Sequence, residues 1–106
     1  MTDTLMIFIT ASSDDEAALI AKTLVDEHLI ACVNVMSGVR SFFFWEGKTQ
    51  DAREVLLICK SSKERLAQVI ARVKSLHSYT VPEIIALPVA GGSADYLTWV
   101  RETVKS

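Results

Sequence analysis

The chain has 106 residues, half of them hydrophobic, and its acidic and basic side chains nearly balance at a formal net charge of −2. One domain of that length, spanning residues 1–106, buries a core without disulfide or metal staples. The composition excludes a nucleic-acid partner, which needs a basic patch, and a membrane span, which needs roughly 20 consecutive apolar residues.

In chain order, Leu5 to Thr10 is a short apolar run that reads as a central strand. Ser13 followed by Glu16 forms a capping box, and Asp14 and Asp15 add negative charge at a helix N-terminus. Ala17, Ile20, Ala21, Leu24 and Val25 then fall on one face of that helix. Leu29 to Met36 predicts a second strand, Ser37-Gly38 a bulge or bend, and Val39 to Trp45 its extended continuation. The polar segment Lys48 to Asp51 is the expected hairpin tip, with Trp45-Glu46 as the alternative, and Glu54 to Lys60 returns as a strand buried on both faces. Ser61 and Glu64 suggest a second capping box, followed by Leu66, Val69, Ile70, Val73, Leu76 and His77 at helical spacing. Val81-Pro82 stops that helix, Ile84 to Val89 predicts a fourth strand, and Ser93 caps a last helix carrying Tyr96, Leu97, Trp99, Val100 and Val104. The order is that of an α+β, ferredoxin-like βαββαβ sandwich with a long second–third strand hairpin and an added C-terminal helix.

The segment Ser41-Phe-Phe-Phe-Trp-Glu-Gly-Lys48 bears on assembly. Side chains alternate across a strand, so Phe42, Phe43, Phe44 and Trp45 occupy both faces of a ribbon that outruns the first strand. At about 150–250 Å² each they present on the order of 600–1,000 Å² of apolar surface, already the size of an interface. A small monomer has nowhere to bury both sets. A second copy of the chain is the expected partner, in closed symmetry, because an open edge-to-edge contact would propagate into fibres.

Cys32 and Cys59 match no zinc-ligand spacing and read as buried core thiols. A tip at Lys48–Asp51 places them out of reach of one another, whereas a tip at Trp45-Glu46 brings them opposite; the sequence leaves both open. The densest polar cluster is His77, Tyr79 and Glu83, with His77 expected near a helix C-terminus and Glu83 as its nearby carboxylate. No Gly-x-Ser-x-Gly elbow is present, the acidic Ser12–Glu16 turn repels phosphate, and Val55–Cys59 lacks aromatics for stacking RNA bases. An acid–base pair of His77 and Tyr79 is the only catalytic arrangement on offer, and no enzymatic activity is expected. The N-terminal residues Met1-Thr2-Asp3-Thr4 lack a signal peptide's features, so the expected location is cytoplasmic.

Three stretches in order resemble one family: Ala31-Cys-Val-Asn34, Trp45-Glu-Gly-Lys48, and His77-Ser-Tyr-Thr-Val-Pro-Glu-Ile-Ile-Ala-Leu-Pro-Val89, with Asp95-Tyr-Leu-Thr-Trp99 following at the family's spacing. Together they identify the chain as resembling the divalent-cation tolerance protein CutA family over nearly its whole length. The resemblance implies a compact homotrimer held by long hairpins, similar in architecture to the PII signalling proteins. It also implies a part in copper and divalent-metal tolerance, and binding of a metal ion or small molecule in clefts between subunits. By motif match the ligand-binding positions are Trp45, Lys60, Tyr79, Glu83 and Trp99, with His77 as the metal ligand. Some bacterial members carry a cysteine at the end of the first strand and two adjacent histidines before the tyrosine. Here those positions are Ile9, Leu76 and His77, so one ligand of three remains, and a divalent ion such as copper is expected to bind only weakly. An effector-binding signalling trimer or a scaffold for a partner protein is the alternative.

Overall fold

The computed structural model describes residues 2–105. Strand β1 (Thr4–Ala11) is followed by helix α1 (Asp14–Asp26), strands β2 (Cys32–Trp45) and β3 (Lys48–Ser62), and a 3-10 turn over Lys63–Arg65. Helix α2 (Leu66–Leu76), strand β4 (Ile84–Pro88) and helix α3 (Ala94–Val104) complete the chain. The strands form one antiparallel sheet in the order β2-β3-β1-β4, the ferredoxin-like arrangement predicted.

Alternation sorts the sheet into two faces. Leu5, Ile7, Ile9 and Ala11 of β1 and Val55, Leu57 and Cys59 of β3 point to the same side and are buried. There they meet Ala17, Ile20 and Leu24 of α1 and Val69 and Val73 of α2. Val25, expected on that helix face, lies largely outside it. On the opposite face Met6, Phe8, Leu56 and Ile58 are only half-buried and Ile85 and Leu87 are exposed, so β3 is closed on one face and half-open on the other. Helix α3 shields one end of this second face: the Tyr96 hydroxyl lies 3.1 Å from Sγ of Cys32, and Cys32 pairs with Lys60 there.

Local chemistry explains most boundaries. Ser13 Oγ accepts from the Glu16 N–H at 3.1 Å, so the first predicted cap forms. Helix α1 ends where His28 takes a left-handed φ of 58°, placing it in a turn and not on the helix. Leu29 and Ile30, read as strand, are buried in the connection after it. The second predicted cap does not form. Ser61 is still in β3, and its hydroxyl donates to the Leu29 carbonyl at 2.6 Å inside the protein. The register slips between Met36 and Val39, with Gly38 at φ 78°, so the bulge expected at Ser37-Gly38 is present.

The tip of the hairpin is Glu46-Gly47, not Lys48–Asp51. Both residues have positive φ (50° and 80°), the signature of the two-residue turn that matches strand twist. Cys32 consequently pairs with Lys60 and Cys59 with Val33. The thiols point to opposite faces and both are free; burial pushes the Cys59 thiol up to about 12.

Strand β1 pairs with β3 only over Val55–Ser62. The segments Val39–Trp45 and Lys48–Glu54 project beyond it and pair as strands only with each other, and the long axis of the molecule reaches 44 Å.

Candidate functional site

Where the overhang leaves the body, it forms a cleft with the segment joining α2 to β4. The cleft encloses about 630 Å³. Phe43 and Trp45 project into it from β2, Glu54 from β3, and Tyr79 and Glu83 from the connecting segment. Phe43 pairs with Gln50 and Trp45 with Lys48, which puts both aromatics on the face of Glu54.

A polar knot fixes the connecting segment. Glu16 Oε1 accepts from the Ser12 N–H at 2.8 Å and the Ser12 hydroxyl at 3.0 Å, and its Oε2 accepts from the Ser78 N–H at 2.8 Å. Burial alone would raise the Glu16 carboxyl, but these hydrogen bonds outweigh it and hold it at about 2. Glu16, in the first turn of α1, therefore anchors the loop after α2.

His77 belongs to the same knot. It is the residue after α2, with extended backbone, and its side chain has no solvent exposure. Nε2 donates to the Thr10 carbonyl at 2.7 Å, and Nδ1 accepts from the Tyr79 N–H at 3.0 Å. The carboxylate beside it is Glu16, 3.8 Å from Nδ1, and not Glu83. With both ring nitrogens engaged by backbone, His77 coordinates a metal only if one of those bonds breaks. Among the described residues no group of three or more His, Cys, Asp or Glu is placed to hold an ion. The donor set of a single chain does not fit a tight divalent-metal site.

Tyr79 turns the other way. Its hydroxyl donates to Glu54 Oε2 at 2.9 Å, and burial together with that carboxylate pushes it up to about 12. A phenol held protonated so firmly orients and donates; it does not serve as a base at neutral pH. Its ring also packs on His77, with centroids 4.8 Å apart.

Trp45, Tyr79 and Glu83 thus meet in one cleft, while Lys60 and Trp99 do not reach it. Lys60 lies six positions along β3 from Glu54, roughly 20 Å at about 3.3 Å per residue. Its Nζ donates to Asn34 Oδ1. Trp99 is half exposed and packs on Tyr96, with centroids 5.6 Å apart. The Tyr96 phenol, hydrogen-bonded to Cys32 and partly buried, is pushed up to about 12. One chain therefore carries two separate clusters, at opposite ends of its bare sheet face.

Sequence reasoning missed Glu54 and Phe43 as cleft residues. In the sequence Glu54 reads as the first residue of an apolar strand. The signal available was a lone carboxylate that shares the strand face of Leu56, Ile58 and Lys60 and not that of Val55, Leu57 and Cys59.

A ferredoxin-like domain with an overlong hairpin and a cleft at its base defines a small α+β protein built around its β2–β3 ribbon. The family model described as CutA1 divalent ion tolerance protein matches residues 5–103. This chain belongs to that family. It is 45% identical over 97 residues to the Thermus thermophilus protein named Divalent-cation tolerance protein CutA, covering 92% of this chain and 94% of that one. Among solved structures, CutA from Xylella fastidiosa superposes with a TM-score of 0.95 at 35% identity, covering 98% of this chain and all of that one. The periplasmic divalent cation tolerance protein CutA from Archaeoglobus fulgidus gives 0.93 at 45% identity, covering 96% and 99%.

Proposed function

We propose that the protein works as a cytoplasmic homotrimer in divalent-cation tolerance, copper included, without catalysing a reaction. It binds a metal ion or small ligand in clefts completed between copies. One observation carries this reading: the family-matched residues of a single chain fall into two separate clusters, Trp45, Tyr79 and Glu83 in the cleft beside Glu54, and Lys60 and Trp99 towards the other end of the sheet, with Lys60 roughly 20 Å along β3 from Glu54. Juxtaposing copies is the economical way to unite them, and the unburied hairpin aromatics supply the surface for doing so. A divalent ion bound there draws donors from two copies, since one copy lacks a set. His77 acts chiefly by holding Tyr79 in place, and Tyr79 and Glu83 face the ligand.

Sedimentation equilibrium combined with calorimetric titration of Cu²⁺ and Zn²⁺ tests the proposal. A mass of three chains that binds metal weakly at sites shared between subunits is expected. A particle of 11.7 kDa at micromolar concentration would sink it. Identical isotherms for wild type and His77→Ala would remove His77 as a ligand.

A further inference from the structure

A second cavity, of about 380 Å³, lies between α3 and the ends of β1 and β3 farthest from the hairpin overhang. Thr4 and Ser62, paired across the two strands, line it on the sheet face that α3 covers, and they are only 6% and 8% exposed. Thr2 beside them engages its hydroxyl with backbone: it donates to the Val89 carbonyl at 2.9 Å and accepts from the Thr4 N–H at 3.2 Å. Among the described residues the Thr4 and Ser62 hydroxyls have no hydrogen-bond partner, and neither is sealed off. A hydroxyl held away from bulk water without a partner is costly, so this floor favours a polar group above it.

The rim supplies charge of both signs. Asp3 stands just before β1, and Arg101 comes from α3. Among the described residues neither lies within ion-pair distance of an opposite charge, the other one included. A simple anion would meet the Asp3 carboxylate, and a simple cation the Arg101 guanidinium. A molecule carrying both charges satisfies each, because a guanidinium holds a carboxylate through two parallel N–H bonds and a carboxylate accepts from an ammonium group. Ala94 and Leu97 add a small apolar wall.

This cavity is separate from the surface proposed for assembly. No hairpin aromatic lines it, and neither does Lys60. Tyr96 and Trp99, which belong to the Lys60 cluster, leave α3 on the side roughly opposite Ala94 and Arg101, at about 3.6 residues per turn.

We propose that the cavity binds a small zwitterion, a free α-amino acid with a short apolar side chain. Its carboxylate sits on Arg101, its ammonium group on Asp3, and the Thr4 and Ser62 hydroxyls lie beneath.

Amide chemical-shift titration of the assembled protein tests it, with L-valine, isovalerate (valine without its ammonium group), isobutylamine (valine without its carboxylate) and sodium phosphate. Arg101→Gln and Asp3→Asn, at two exposed positions, are titrated in parallel, and sedimentation checks that each assembles like wild type. Valine should shift the Thr4 and Ser62 amides saturably, the other probes should bind at least tenfold more weakly, and each variant should weaken valine about tenfold. Isovalerate or phosphate binding as tightly as valine, and indifferent to Asp3→Asn, makes this a site for anions and overturns the proposal. Valine binding that is unchanged in both variants, or shifts confined to the cleft beneath the hairpin, overturns it as well. Should a variant fail to assemble, the four probes on wild type decide. No saturable shift at these amides from any probe refutes the amino-acid site.

Discussion

Strand β3 lives in two environments. From Val55 to Ser62 it runs between β2 and β1, with Val55, Leu57 and Cys59 buried under α1 and α2. From Lys48 to Glu54 it has β2 on one edge and nothing on the other, and the aromatics opposite it stay open: Phe42 63%, Phe43 40%, Phe44 74% and Trp45 44% exposed. The downstream half draws its stability from the chain's own core. A two-stranded ribbon is marginal alone, so the upstream half depends on what covers it. Changes in the two halves should therefore be read by different measurements.

The largest effect is expected in the downstream half. Leu57 is fully buried and pairs with Ile9 on one side and Val35 on the other. Leu57→Ala should cost about 2–5 kcal/mol, through lost transfer energy and the cavity left behind. Denaturant unfolding at one fixed protein concentration checks it, because assembly links stability to concentration. A loss below about 1 kcal/mol would mean that the core collapses around the gap.

Phe43→Ala is the counterpart upstream. Far-ultraviolet circular dichroism should change little, while the proposed assembly dissociates at a protein concentration tenfold or more higher than for wild type. Sedimentation velocity over a dilution series is the readout. If the variant instead unfolds without dissociating first, the overhang is a folding element of each chain and the comparison fails.

The same division explains what could be read from the sequence. Strand β1, the Ser13 cap and the Ser37-Gly38 bulge were legible because each has a local cause: an apolar run, a capping hydroxyl and a residue free to take positive φ. The hairpin tip was misplaced because Thr49, Gln50 and Asp51 are polar, as turn residues are. Here they are strand residues of an overhang with no core beneath it. Ser61 had the spacing of a cap, but the register of β3 turns its hydroxyl inward to Leu29. The cleft was legible only in part. Tyr79 and Glu83 sit in a recognisable motif, whereas Glu54 and Phe43 reach the cleft through strand pairing, which no local window contains.

A middle-sized effect sharpens the boundary between body and cleft. The Glu16 carboxyl titrates at about 2 in the fold against 4.5 ordinarily, because hydrogen bonds from Ser12 and Ser78 outweigh its burial. A carboxyl lowered by folding stabilises the protein fully above pH 4.5, and that contribution is lost as pH falls from about 4.5 towards 2. Glu16→Gln should remove roughly 1–2 kcal/mol at neutral pH, allowing for solvent screening at the loop surface, and flatten the acid limb over that window. Because Glu16 holds Ser78, the variant should also loosen the Tyr79 loop, seen as faster amide exchange there. Unchanged exchange would show that His77 anchors the loop alone.

The smallest expected change is informative for its location. Arg40 Nε donates to Asp51 Oδ1 at 3.0 Å and Nη2 to Oδ2 at 2.8 Å, and the guanidinium lies over the Phe42 ring at 4.9 Å. This cluster occupies the ribbon face opposite Phe43 and Trp45. Arg40 holds the Asp51 carboxyl below its ordinary value, but both side chains remain about half exposed in one chain. Solvated pairs of this kind contribute little and weaken further with salt. Asp51→Asn should therefore leave both the unfolding midpoint and the dissociation concentration where they are in wild type. Dissociation as extensive as in Phe43→Ala would show that assembly desolvates the Arg40–Asp51 pair, because only a buried charge left without its partner costs that much. Neighbouring copies would then cover both faces of the ribbon, and Phe42 and Phe44 would count as interface residues beside Phe43 and Trp45.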